Sequence, residues 1–135
     1  MPTTRTALTL IVVAAASAAT WFAWLGWETG YRTLPDGSVT GPYSTMQVVA
    51  AGATIACIVV AGCLALRCSV RGSIAVVACT TVGFALAWGR AAAASDETGL
   101  WVVGLLLLVV GTAAGGSAVA VLTRLMSRRV LQHRR

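Results

Sequence analysis

The sequence predicts an all-α membrane protein, an antiparallel bundle of four transmembrane helices with a short outer β-hairpin between the first two. Hydrophobic residues make up 58% of the 135 residues and charged residues only 10%, whereas roughly a quarter of the residues in soluble proteins carry charge. Four apolar runs have no charge near their middle, and arginines flank these runs. Because four spans of ~20 residues each leave only short loops, residues 1–135 are predicted to form a single membrane domain.

The first helix is predicted over residues 6–27, a run long enough to cross the ~30 Å of hydrocarbon in a bilayer. A cleaved signal peptide is the alternative, because Arg5 precedes an apolar core and the small residues 16–18. The apolar character continues beyond that cleavage point through Trp21, Phe22 and Leu25. This continuity favours a helix that is retained in the membrane.

A polar segment between the first two helices contains Pro35, Asp36 and Gly37, in an order that favours a tight turn. The flanking residues 31–34 and 38–40 are short enough to pair as a hairpin. A two-stranded ribbon is marginal by itself. We therefore expect this hairpin to rest on the ends of the helices.

The other three helices are predicted over residues 45–66, 72–88 and 99–122. Ser44 or Thr45 can cap the start of the second helix. The third helix is predicted to be the shortest, with Arg90 just beyond its end. The fourth passes into a basic tail, 124–135, which can lie along an anionic membrane surface.

The charges predict the orientation. Eight of the ten arginines fall on the side of the two termini and two on the other side, which places both termini in the cytoplasm. All four acids and all five tryptophans lie on the outer side.

Because the arginines flank apolar runs, we interpret the net charge of +6 as a topology signal, not as a nucleic-acid surface. The absence of lysine suggests a GC-rich bacterial genome, and hence the bacterial inner membrane.

Aromatic and charged residues at the outer ends of the helices form a candidate site for an amphipathic ligand or a partner. Its residues are Trp21, Trp24, Trp27, Glu28, Arg32, Trp88, Arg90 and Trp101. The alternative is an interfacial belt, because amphipathic rings favour the level of the lipid headgroups. Arg90 lies on the outer side, where the positive-inside rule disfavours arginine. The alternative to its role in the candidate site is an ion pair with an outer acid.

Small residues recur at the spacing of helix-packing motifs. One series is Ala75, Cys79, Gly83 and Ala87, and a GxxxG motif joins Gly111 to Gly115. Such stripes let helix backbones approach closely where lipid supplies no hydrophobic driving force. The sequence leaves open whether each stripe packs within one chain or between chains.

The sequence contains few candidate catalytic or metal-binding residues. The four cysteines contain no CxxC motif, and we interpret them as small buried hydrophobes. The only histidine, His133, belongs to the tail. The middle of each span lacks the ionisable residue that ion or proton transport normally uses. We therefore expect a non-enzymatic protein with no cofactor and no metal.

Two segments, residues 21–28 and 41–47, resemble those of small four-span inner-membrane proteins of actinobacteria. The resemblance covers the chain in span count and implies the fold, but it implies no activity and no functional residue. Small multidrug transporters have the same number of spans, but their first helix carries a glutamate within the membrane. Here Glu28 lies at the end of the helix.

These observations predict an accessory or oligomer-forming membrane subunit whose outer face contacts a partner or lipid. The expected partners are the lipid bilayer and further copies of the chain or a larger membrane complex, with no nucleic acid. A small transporter or channel is the alternative, with its pathway at the outer aromatic residues or at a subunit interface.

Overall fold

The computed structural model describes residues 4–27 and 30–133. Its four helices are α1 (Thr4–Trp24), α2 (Thr45–Ala65), α3 (Val70–Ser95) and α4 (Trp101–His133). All four are long and apolar enough to cross a membrane. At 1.5 Å per residue, α1 and α2 are each ~32 Å long, which matches the hydrocarbon thickness, whereas α4 measures ~50 Å and extends beyond it.

The hairpin between α1 and α2 consists of β1 (Arg32–Thr33) and β2 (Val39–Thr40), paired antiparallel with Arg32 opposite Thr40. The Gly37 N–H donates to the carbonyl of Leu34, and Gly37 has a positive φ of 81°, a conformation that glycine adopts at low cost. The predicted turn is therefore confirmed. Both strands are exposed, and within the described residues neither strand packs on a helix. The expectation that the hairpin rests on the helix ends is therefore wrong for the described residues.

Polar side chains define where the helices begin. Ser44 and Gln47 form a capping box at α2, each side chain accepting a hydrogen bond from the other's backbone N–H. Ser69 caps α3 by accepting from the N–H of Gly72. The structure thus assigns the cap of α2 to Ser44, one of the two residues that the sequence offered.

The fourth helix continues to His133, beyond its predicted end at residue 122, and the third helix also extends beyond its predicted bounds. It ends at Ser95 instead of near Trp88 and is longer than α1 and α2. The alanines of residues 91–94 extend it, since alanine has the highest helix propensity. Arg90 is therefore an exposed residue inside α3 and does not follow the end of a short helix.

The most extensive helix contact is that of α1 with α3, followed by that of α3 with α4. Each helix runs antiparallel to its chain neighbours. Within the described residues, α1 and α4 do not approach each other, so α2 and α3 form the centre of the bundle. The middle of the core is closed to solvent, since Val59, Cys63 and Val76 are 0% exposed. A second cluster towards the hairpin end contains Trp21, Leu25, Ala51, Phe84 and Ala87.

Candidate functional site

The five tryptophans do not converge on a single ligand site. Trp21 is buried in the core cluster at the hairpin end, and Trp88 packs against the same cluster. Trp27 lies at the surface with 66% of its area exposed. Trp101 is half-buried at the start of α4. Two of these rings are therefore part of the fold, and the exposed Trp27 is suited to the interfacial position that amphipathic rings favour.

The indole N–H groups distinguish these rings further. Trp24 donates to the hydroxyl of Thr54 at 3.1 Å and so links α1 to α2. Trp27 donates to the carbonyl of Ala23 at 2.9 Å, within its own segment. The buried Trp21 N–H has no hydrogen-bond partner among the described residues, and its ring meets that of Phe22 edge to face at 4.9 Å. Trp24 is thus the only one of these three whose N–H joins two helices.

The charged residues of the predicted outer site are spread over separate elements. Arg32 lies in β1, Arg90 is exposed on α3, and Glu28 lies outside the described residues. Arg90 forms no ion pair with Asp96 or Glu97 in the part of the chain that the structure describes. The expected pairing of Arg90 with these two acids is therefore not observed.

Asp96 performs a structural task at the start of α4. Its carboxylate accepts from the Thr98 hydroxyl at 2.6 Å and from the Trp101 N–H at 2.7 Å. These hydrogen bonds, led by that of Thr98, lower the pKa of Asp96. In the hairpin, the Ser38 hydroxyl and backbone N–H likewise lower the pKa of Asp36. These two carboxylates stabilise turns and caps.

The α3 stripe packs within the chain. Gly83 and Ala87 are buried, while Ala75 and Cys79 are half-buried. A Cβ on Gly83 would clash with the backbone carbonyl of Ala14, so α1 and α3 meet with no side chain between them at this point. This is the close approach for which small residues are selected.

The α4 motif behaves differently. A Cβ at Gly111 or Gly115 would meet no other atom within 4 Å, and both glycines are exposed. Only the adjacent Gly116 is buried, against Val77 and Val59. The predicted GxxxG motif therefore faces outward and has no partner helix within the described chain.

These glycines line an open groove between α2 and α4 with a volume of about 370 Å³. We call it the glycine groove. On α2 it is lined by Gly52, which also has no atom within 4 Å of a Cβ position. Leu25 and Phe84 close its hairpin end. Gly52 and Gly116 were missed by the sequence reasoning, because only the placement of α2 beside α4 brings them to the same groove.

A second groove, also of about 370 Å³, runs between α3 and α4 and differs in that a charged residue contributes to its lining. We call it the hydroxyl groove. Ser73, Thr81 and Ser117 contribute hydroxyl groups to its lining, and Arg124 stands at the end near the carboxyl end of α4. From the sequence, Arg124 is assigned only to a general basic tail. The signal for this groove is the spacing of Ser73 and Thr81 on one face of α3, which is meaningful only once that face is paired with α4.

Metal and redox candidates do not come together in the described residues. The four cysteines are free thiols, and no group of three His, Cys, Asp or Glu side chains converges there. Only Cys63 is fully buried and Cys57 is exposed, so the interpretation of the cysteines as buried hydrophobes is wrong for Cys57. Cys68, in the turn between α2 and α3, lies 3.6 Å from the Ser127 hydroxyl of α4. This contact ties the turn to α4.

Comparison of the chain with protein-family models, curated proteins and solved structures finds no match.

Proposed function

We propose that the protein is a non-enzymatic multi-pass membrane subunit that associates with further copies of itself through the glycine groove. One observation carries this proposal. The chain has two small-residue stripes. The α3 stripe is covered by α1 at Gly83, whereas Gly111 and Gly115 of the α4 stripe have open space where a side chain would be.

Lipid-facing glycines have a cost that a partner helix can offset. Glycine lowers helix stability by ~1 kcal/mol relative to alanine, and Gly52, Gly111 and Gly115 contribute no packing within the described chain. Close approach of a second helix gains dispersion contacts and weak Cα–H hydrogen bonds along the backbone. An interface between copies therefore gives these glycines a role that the single chain does not.

The groove is formed by two helices, which favours insertion of a helix over a looser contact. Gly52 and Ala56 on α2 face Gly111 and Gly115 on α4 across it. A helix entering between them meets small residues on both sides. In a homo-oligomer, the α4 stripe itself supplies a small-residue surface for this purpose, so that the two copies bury the same surface on each other.

An oligomeric or accessory subunit is better supported than a transporter formed by one chain. The centre of the bundle is closed by Val59, Cys63 and Val76, which are 0% exposed. A solute path through one chain would have to break this packing. A transporter or channel with its pathway at the interface between subunits is the alternative, and it requires the same association.

Oligomerisation in vesicles tests the proposal. The full chain carrying one fluorophore is reconstituted at a series of protein-to-lipid ratios, and subunits are counted by single-molecule photobleaching. Gly111→Ile and Gly115→Ile are compared with Ala114→Ile, a residue that is exposed on the same helix and does not line the groove. Overpacking costs ~1–3 kcal/mol, so we expect each glycine variant to weaken association about 10-fold or more.

Two results would overturn the proposal. One is a wild-type chain that stays monomeric at the highest protein density. The other is equal weakening of association by Ala114→Ile and by the glycine variants, since this would place the interface elsewhere on α4.

A further inference from the structure

We propose that the hydroxyl groove between α3 and α4 is a binding site for an anionic glycerophospholipid, with the lipid phosphate on Arg124. The site is separate from the glycine groove and does not depend on oligomerisation. It lies at the end of the bundle that carries the turn between α2 and α3.

The first argument is the charge of Arg124. Arg124 is a half-buried residue, and its Nε is shielded from solvent and has no hydrogen-bond partner among the described residues. The described acids Asp36, Asp96 and Glu97 all lie towards the opposite end of the bundle. A partly buried cation is costly without an anionic partner. Since the described part of the chain offers no carboxylate at this end, an external anion is the suitable partner.

The second argument is the Ser73 hydroxyl, which lines the same groove. Ser73 is 5% exposed, and its oxygen has no hydrogen-bond partner among the described residues. Arg124 lines the same groove, which places the two polar groups in one neighbourhood. The hydroxyl therefore remains able to donate to a phosphate or ester oxygen.

The third argument is the apolar path that leads away from these groups. Val77, Ala78, Val82 and Val121 continue the groove along the helices, and all of these except Val77 are exposed on the side open to lipid. Its volume of about 370 Å³ falls in the range of ligand pockets, ~300–1,000 Å³. Thr81 lies ~12 Å farther along α3 than Ser73, at acyl-chain depth.

This combination favours a lipid over a soluble anion or an acidic peptide. The groove opens sideways between two membrane-spanning helices, so its occupant enters from the bilayer. Arginine holds phosphate through paired N–H donors, and the phosphate of a lipid lies at the depth of a helix end. A free anion would leave the apolar part of the groove without a ligand.

Native mass spectrometry of the purified full chain tests the site. The protein in neutral detergent is titrated with phosphatidylglycerol, with phosphatidylcholine of the same acyl chains, and with inorganic phosphate. We expect one phosphatidylglycerol molecule to bind about 10-fold more tightly than phosphatidylcholine. Both lipids carry a phosphate, but the choline cation of phosphatidylcholine opposes the charge of Arg124. Arg124→Gln should abolish this preference. Arg128→Gln removes the same charge one turn farther along α4, where the side chain is exposed, and should retain the preference.

A second pair of variants tests the groove without altering any charge. Ala78→Phe fills the hydroxyl groove, whereas Ala53→Phe adds the same ring to an exposed position of α2 outside the two grooves. Only Ala78→Phe should reduce phosphatidylglycerol binding. Equal binding of the two lipids, equal losses in Arg124→Gln and Arg128→Gln, or displacement of the lipid by inorganic phosphate would each overturn the assignment.

Discussion

Gly83 of α3 lies directly against the backbone carbonyl of Ala14 in α1, with no room for a side chain between them. The neighbour is backbone, which cannot rotate away as a flexible side chain can. This contact sets the separation of the two helices and gives α1 its most extensive interface in the bundle.

Gly83→Ala is therefore expected to destabilise the protein by ~1–3 kcal/mol through overpacking. The free energy of unfolding, measured by denaturation with sodium dodecyl sulfate and followed by circular dichroism, provides the test. Gly89→Ala is the matched control on the same helix. Its Cβ would meet Leu105 at an ordinary distance of 3.4 Å, and alanine would raise helix propensity. If both variants are equally stable, the proposed close contact of α1 with α3 is wrong.

The hydrogen bond from Trp24 to Thr54 should couple α1 to α2. We expect a double-mutant cycle of Trp24→Phe and Thr54→Val to give a coupling energy of ~0.6 kcal/mol, the average for hydrogen bonds between membrane helices. Trp27→Phe serves as the control, since Trp27 donates to Ala23 of its own segment. A coupling of Trp27→Phe with Thr54→Val as large as that of Trp24→Phe would contradict the assignment.

The Asp96 carboxylate should hold the first turn of α4 in a pH-dependent manner. Its pKa is lowered by hydrogen bonds from Thr98 and Trp101, so its contribution is present above the unfolded value of ~3.9. That contribution is lost as the pH falls through the lower pKa of the folded state. Asp96→Ala should therefore speed hydrogen exchange at the Trp101 N–H near neutral pH.

The control for this change is Glu97→Ala, which alters the adjacent exposed acid. Exchange at Trp101 should stay slow in this variant. In the wild-type chain, acidification below the folded-state pKa should remove the protection that Asp96 supplies. Rapid exchange in both variants at neutral pH would show that negative charge near the turn, and not the hydrogen bond to the Asp96 carboxylate, protects the Trp101 N–H.

The arginine distribution predicts that the hairpin lies outside the cell and both termini inside. Ser38→Cys, in the turn of the hairpin, and His133→Cys, in the tail, are introduced separately into a chain without its native cysteines. A membrane-impermeant maleimide should label Ser38→Cys in intact cells, and His133→Cys only after the cells are opened. The reverse pattern would invert the orientation.

Part of the fold was readable from local patterns. The four spans follow from uncharged apolar runs, because hydrocarbon excludes charge and requires every backbone group to be bonded within a helix. Pro35, Asp36 and Gly37 predicted the hairpin turn through their own backbone preferences. The end of α3 was predicted too early. The change from apolar residues to Arg90 and the alanines marks the point at which the helix leaves the hydrocarbon, and not the end of the helix.

The sequence by itself determined that the chain has four membrane-length helices, a turn at Gly37 and arginines concentrated at one end of the bundle, since each depends on residues close together in the chain. Only the tertiary structure decided that Gly83 is covered by α1, that the Gly111 stripe is left open, and that Arg124 and Ser73 line the same groove. The physical reason is that a small-residue stripe permits close approach to any helix. Which helix occupies it depends on the packing of the whole bundle.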